Sequence, residues 1–185
     1  MTATITLRKA MQEFYAKNGF ALDGGASGDT WSPIGCRALK VHLPNFEWRR
    51  KAIPFHDLHH VITGYGFSPA GEFEMAAWEF AAGRYPNINT TLFCLPLISM
   101  GAIATPRRTW RAFIRGRRSK TLYSVSNFDS LLDRTIEEMR VEVLPEAEVK
   151  ATLRDYCRFA ALTSASALLT LSPIAILAAL YFWRT

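Results

Sequence analysis

The chain has 185 residues, of which 49% are hydrophobic, with 12 Phe and 5 Trp, so one domain can bury a sizeable core. Its net charge of +6 is compatible with anionic partners, but no nucleic-acid-binding module is present and nucleic acid is not an expected partner. Cys36, Cys94 and Cys157 are odd in number and far apart, which fits a reducing compartment and offers no thiolate metal pattern, and Met1 to Thr30 lacks an apolar signal region, so no secretory peptide is expected.

In chain order, a helix is expected from about Thr6 to Lys17, then a loop through Thr30. Within it, Asp23 to Gly28 lacks the preceding strand and the Lys-Ser/Thr ending of a phosphate loop and reads as a plain loop. Residues 36 to 47 suit a short extended piece, with His42 a surface or packing residue. A helix from about Glu47 to His60 is expected to break at Pro54, which suits the first turn of a second segment. Ser68-Pro69 is a strong helix start and Gly83 a plausible stop, with Met75 and Trp78 as core residues of the helix between them. The nearly uncharged run 91–104 is too short for a membrane span and reads as a buried helix or the wall of a lipid groove.

Basic residues crowd positions 107 to 120. Arg107, Arg111, Arg115 and Arg118 follow helical spacing while Trp110, Phe113 and Ile114 mark another face, a pattern that suits a helix lying on a membrane surface. Arg111, Arg115, Arg117 and Arg118 are candidates for a substrate carboxylate or lipid headgroups. Phe159 to Trp183 contains no charged residue over 25 positions, about 37 Å of helix, and is expected to cross a membrane. Lys150, Arg154 and Arg158 precede it and only Arg184 follows, which leaves a domain over 1–155 on the cytoplasmic side.

The chemistry concentrates in His56-Asp57-Leu58-His59-His60 and Glu72. Residues at i, i+1 and i+4 of a helix can share a face, so His56, Asp57 and His60 are expected to converge, with Glu72 closing the site from the first turn of the next helix. Two imidazoles and two carboxylates suit zinc, or ferrous iron, better than calcium or magnesium. His59 could replace His60, but Asp57 would then lie on nearly the opposite side, so packing or an outer hydrogen bond suits His59 better. Glu79 shares the face of Glu72 and could accept such an outer bond, or less readily bind a second metal, whereas Glu74 points away into solvent. The expected fold is all-α, a single helical domain with a metal-binding helix hairpin and a C-terminal transmembrane helix.

The run His56-Asp-Leu-His-His60 with Glu72 resembles the signature of the fourth Coq protein of ubiquinone biosynthesis. Arg115-Gly-Arg-Arg-Ser-Lys120 and Leu131-Leu-Asp-Arg-Thr-Ile-Glu-Glu-Met-Arg140 are similar to that family's C-terminal stretch, and the resemblance covers roughly residues 40 to 145. It implies a mostly helical fold and a zinc-like divalent metal at His56, Asp57, His60 and Glu72. It also implies removal of the carboxyl at ring carbon one of a polyprenylated hydroxybenzoate-derived precursor, an oxidative decarboxylation by a carbon–carbon lyase. The alternative within the family is a non-catalytic prenyl-lipid or quinone-binding scaffold that organises quinone-biosynthesis enzymes at the membrane, the metal acting as a staple. Expected partners are a polyprenylated aromatic lipid, other quinone-biosynthesis proteins and the membrane, with a homodimer also open. The long apolar C-terminal segment is not a feature of that family.

Overall fold

Thr6 opens α1 (Leu7–Asn18) by accepting a hydrogen bond from the Lys9 amide, and Gly19, at φ 71°, closes it in the left-handed conformation that glycine adopts without strain. Leu7, Ala10, Met11 and Tyr15, at i, i+3, i+4 and i+8, form its buried face. The computed structural model describes residues 5–21, 31–36, 39–83 and 85–184, and for 32–36, 39–43 and 173–184 the backbone alone. The loop expected over Asp23–Gly28 and the side chain of His42 therefore lie outside the described residues.

The extended piece is the second strand of an antiparallel hairpin, β1 (Trp31–Cys36) paired with β2 (Leu39–Pro44), in which Trp31 faces Pro44 and Cys36 faces Leu39. Its first strand carries Pro33 and Gly35, two residues that weaken a strand signal in sequence. The rest of the described chain is a single helical body, as the all-α expectation required.

α2 (Glu47–Thr63) runs straight through Pro54, which corrects the expected break. Proline removes one helical hydrogen bond, and the burial of Ala52 before it and of Leu58 and Ile62 after it offsets that loss. The open carbonyls at the end of α2 are taken by cations: Arg115 donates to Thr63 O at 2.9 Å and Arg140 to Ile62 O at 3.0 Å. Gly64, at φ 79°, then turns the chain.

α3 (Pro69–Ala82) starts and stops where Ser68 and Gly83 indicate, with Ser68 Oγ accepting from the Gly71 amide. It is the central helix and packs on α4 (Ile88–Ala104) and α5 (Pro106–Gly116). Close approach is possible because Gly101 and Gly116 lack side chains: a Cβ at Gly101 would lie 2.6 Å from the Phe73 Cβ, and one at Gly116 would overlap the Trp78 carbonyl. Met75, Ala76, Ala77 and Trp78 meet Ile98, Ala112 and Phe113 in the core. The segment that followed the basic run in sequence forms α6 (Phe128–Leu132) and α7 (Ile136–Val143), the latter opened by a Thr135–Glu138 capping box.

α8 (Leu153–Arg184) is one helix of 32 residues that starts before the expected boundary at residue 155. Trp110 of α5 stacks on Tyr156 at 4.6 Å, and Arg117 donates to Asp155 at 3.0 Å. Among the described residues no helix is long and apolar enough to cross a membrane; the span expected over 159–183 lies partly outside them. The first half of α8 is docked on the protein. Leu162 is part of the core, and the Ser166 hydroxyl accepts from Ser99 N at 3.0 Å and donates to Leu95 O of α4. The side chains of 173–183 lie outside the described residues.

Candidate metal centre

His56 and His60 stand one turn apart on α2, and Glu72 occupies the first turn of α3. One donor atom from each lies within 4.8 Å of the others. His56 Nε2 is 3.1 Å from His60 Nε2 and 3.3 Å from Glu72 Oε2, and His60 Nε2 is 3.3 Å from Glu72 Oε1. Donors at about 2.0–2.1 Å around a tetrahedral zinc stand roughly 3.3 Å apart, so these separations are those of a coordination shell. The loop between the helices makes this possible. A Cβ on Gly71 would overlap the Gly66 carbonyl, so only glycine lets the first turn of α3 settle on the loop and return Glu72 to the imidazoles.

The chemistry of the donors agrees. His56 Nδ1 lies 3.2 Å from both oxygens of Glu79, and His60 Nδ1 lies 3.0 Å from the Tyr65 carbonyl oxygen. Both Nδ1 atoms face acceptors, which puts their hydrogens there and leaves both Nε2 lone pairs facing one another. Glu72 Oε1 is buried and has no hydrogen-bond partner. Two lone pairs and an orphaned carboxylate oxygen around one point are unfavourable without a cation. The residues present therefore fit a divalent metal. Burial opposes charge on His56, yet the Glu79 and Glu72 carboxylates raise it well above its ordinary value, so a proton answers the same demand for positive charge. Burial likewise pushes Glu72 up, but the facing His56 and His60 rings bring it down to about 2.

Asp57, the fourth expected ligand, is not in this group. One residue along a helix turns about 100° away from its neighbour, and the buried Asp57 carboxyl accepts the hydroxyl of Tyr15 instead; burial lifts it to about 6. His59 and Glu79 do belong to the surroundings of the site. His59 is fully buried, with Nδ1 2.7 Å from Glu79 Oε1 and Nε2 accepting from the Leu122 amide at 2.9 Å. Burial raises Glu79, but the facing His56 and His59 rings hold its carboxyl far below the usual range.

Glu74 points away from the metal ligands but is not solvated. It is mostly buried, and Arg108 spans both its carboxylate oxygens. The four arginines singled out in sequence stand apart from the trio: no hydrogen bond or ion pair among the described residues joins them to His56, His60 or Glu72. Arg115 caps α2 and lies over the Tyr65 ring at 5.5 Å, Arg117 holds Asp155, and Arg111 and Arg118 are exposed. Sequence reasoning missed Tyr15, Tyr123 and the aromatic wall in which Phe14 stacks on His60 at 5.8 Å. No local pattern marks these residues, because each reaches the site from a distant segment. Comparison with family models, with curated proteins and with solved structures gives no match for this chain.

Proposed function

We propose that this protein is a metal-dependent decarboxylase of ubiquinone biosynthesis that removes the carboxyl at ring carbon one of a polyprenylated hydroxybenzoate-derived precursor. The observation that carries the reading is the convergence of His56, His60 and Glu72 at coordination distances, on the motif whose sequence resembles the fourth Coq protein. Two imidazoles and one carboxylate suit zinc best and ferrous iron next. When bound, the ion supplies Lewis acidity to a carboxylate or phenolate oxygen.

The chain's own residues do the rest. His56, His60 and Glu72 hold the ion with three protein donors, the number that leaves a position for substrate in catalytic sites. Phe14 and Phe67 cover the His60 ring and limit water on that side. Ile88, Leu92, Met100 and Ile103 of α4 are exposed along one side of the helix and supply an apolar ridge for a prenyl tail or a bilayer surface. The exposed Arg107 and Arg111 follow on α5 and suit anionic headgroups. In this reading the protein works at a membrane surface, with a polyprenylated aromatic lipid and other quinone-biosynthesis proteins as partners.

The same ridge supports the second reading, a non-catalytic prenyl-lipid-binding scaffold with the metal as a staple. Deletion of the gene followed by mass spectrometry of prenylated lipids separates the two, with a Glu72→Ala copy as control. The enzyme reading expects a carboxylated precursor to accumulate in both strains. A normal lipid profile with the Glu72→Ala copy would rule out a catalytic metal.

A further inference from the structure

We propose that Glu79, clamped by Tyr123 and His59, is the positioning residue that fixes His56 as an Nε2 metal donor; this rests on the metal reading above. Glu79 is fully buried in the last turn of α3, behind His56 as seen from Glu72 and His60. Three side chains converge on its carboxylate: His56 Nδ1 at 3.2 Å from each oxygen, His59 Nδ1 at 2.7 Å and the Tyr123 hydroxyl at 2.7 Å, the last two on Oε1.

The hydrogens in this cluster can be assigned in order. The Leu122 amide can only donate, so His59 Nε2 accepts, and the hydrogen of a neutral His59 ring sits on Nδ1, directed at Glu79. Tyr123 directs its hydroxyl at the same oxygen. With two donors fixed on it, Glu79 presents an acceptor to His56 as well, so His56 carries its hydrogen on Nδ1 and its lone pair on Nε2. That lone pair is the one facing His60 and Glu72.

His60 reaches the same tautomer by a weaker device, a single neutral carbonyl, that of Tyr65. The two imidazoles are therefore not equivalent. His56 hangs from a buried anion, an arrangement that fixes ring orientation and makes the ring a more basic ligand. Tyr123 and Leu122 come from the segment between α5 and α6, so that segment tunes a site whose ligands all lie on α2 and α3.

The test uses the full-length protein stripped of metal and reloaded with zinc or cobalt(II), reading zinc affinity by chelator competition and geometry by the visible cobalt spectrum. Glu79→Gln is expected to weaken zinc binding by about 10- to 100-fold and to shift the cobalt bands. Tyr123→Phe removes one hydroxyl and is expected to cause a smaller loss in the same direction, with its own band shift. It carries the test alone should Glu79→Gln fail to fold. Wild-type affinity with an unchanged cobalt spectrum in the folded variants would overturn the positioning role while leaving the metal reading intact. A wild-type protein that binds neither ion would overturn both.

Discussion

The Nε2 atoms of His56 and His60 stand 3.1 Å apart while the Nδ1 atom of each ring faces an oxygen acceptor, Glu79 for His56 and the Tyr65 carbonyl for His60. Both rings are thereby directed to present bare lone pairs to the same point. The energetic consequence is a folded state that a cation stabilises and whose unfolded chain has no such point.

Zinc is therefore expected to raise the stability of the metal-free protein by about 2.7 kcal/mol at a hundredfold excess over its dissociation constant. Thermal unfolding with and without added zinc measures this. His60→Ala should abolish the increment, since it removes a buried ligand of the trio. An equal rise in wild type and variant would assign zinc to another place.

Asp57 predicts a dependence on pH. Its carboxyl rises from 3.8 to about 6 because burial disfavours the charge, against the influence of His56, His60 and Tyr15. A carboxyl raised on folding favours the fold below pH 4, and that contribution is lost as pH climbs through about 6. Asp57→Asn does not titrate. The metal-free variant should match wild type near pH 3.5 and exceed it at pH 8 by up to about 3 kcal/mol, as denaturant midpoints would measure. The opposite sign at pH 8 would show that the carboxylate is stabilised where it lies.

Gly71 predicts a steric effect on the site. A methyl group there would overlap the Gly66 carbonyl, so Gly71→Ala must lift the first turn of α3 from the loop. About 1–3 kcal/mol of destabilisation is expected from such overpacking. Because Glu72 is the next residue, zinc affinity should fall with it. Unaltered zinc binding would mean that Glu72 is positioned by something other than this contact.

Ser166 predicts how α8 is held. Its hydroxyl lies between Ser99 N and Leu95 O, two groups that pair with each other in an uninterrupted helix. Ser166→Ala removes the bridge and should cost about 1–3 kcal/mol if the backbone groups stay unsatisfied. Limited proteolysis should then cut within α8 sooner than in wild type. No change in either measurement would show that α4 closes its own ladder when the hydroxyl is removed.

The helices that carry their own end signals were readable. Thr6, Ser68 with Pro69, and Gly83 sit where caps and stops act locally, and α1 and α3 begin or end within a residue of them. Pro54 misled because its local penalty is set against burial of Ala52, Leu58 and Ile62, which no window of sequence contains. The apolar run after residue 158 carries contacts that its composition does not reveal. Its composition is suited to a bilayer, but Leu162 and Ser166 found a partner in α4, itself nearly free of charge.

By itself, the sequence determined that two imidazoles and a carboxylate would meet, because helical spacing and a short capped turn are local properties of the residues from His56 to Glu72. Only the tertiary structure decided which donors face the shared point and which turn away. Asp57 is drawn off toward Tyr15 of α1, and His56 is backed by Glu79, His59 and Tyr123. Those partners lie up to 44 residues from the groups they hold, and a hydrogen bond across that separation exists only after the core has brought the segments together.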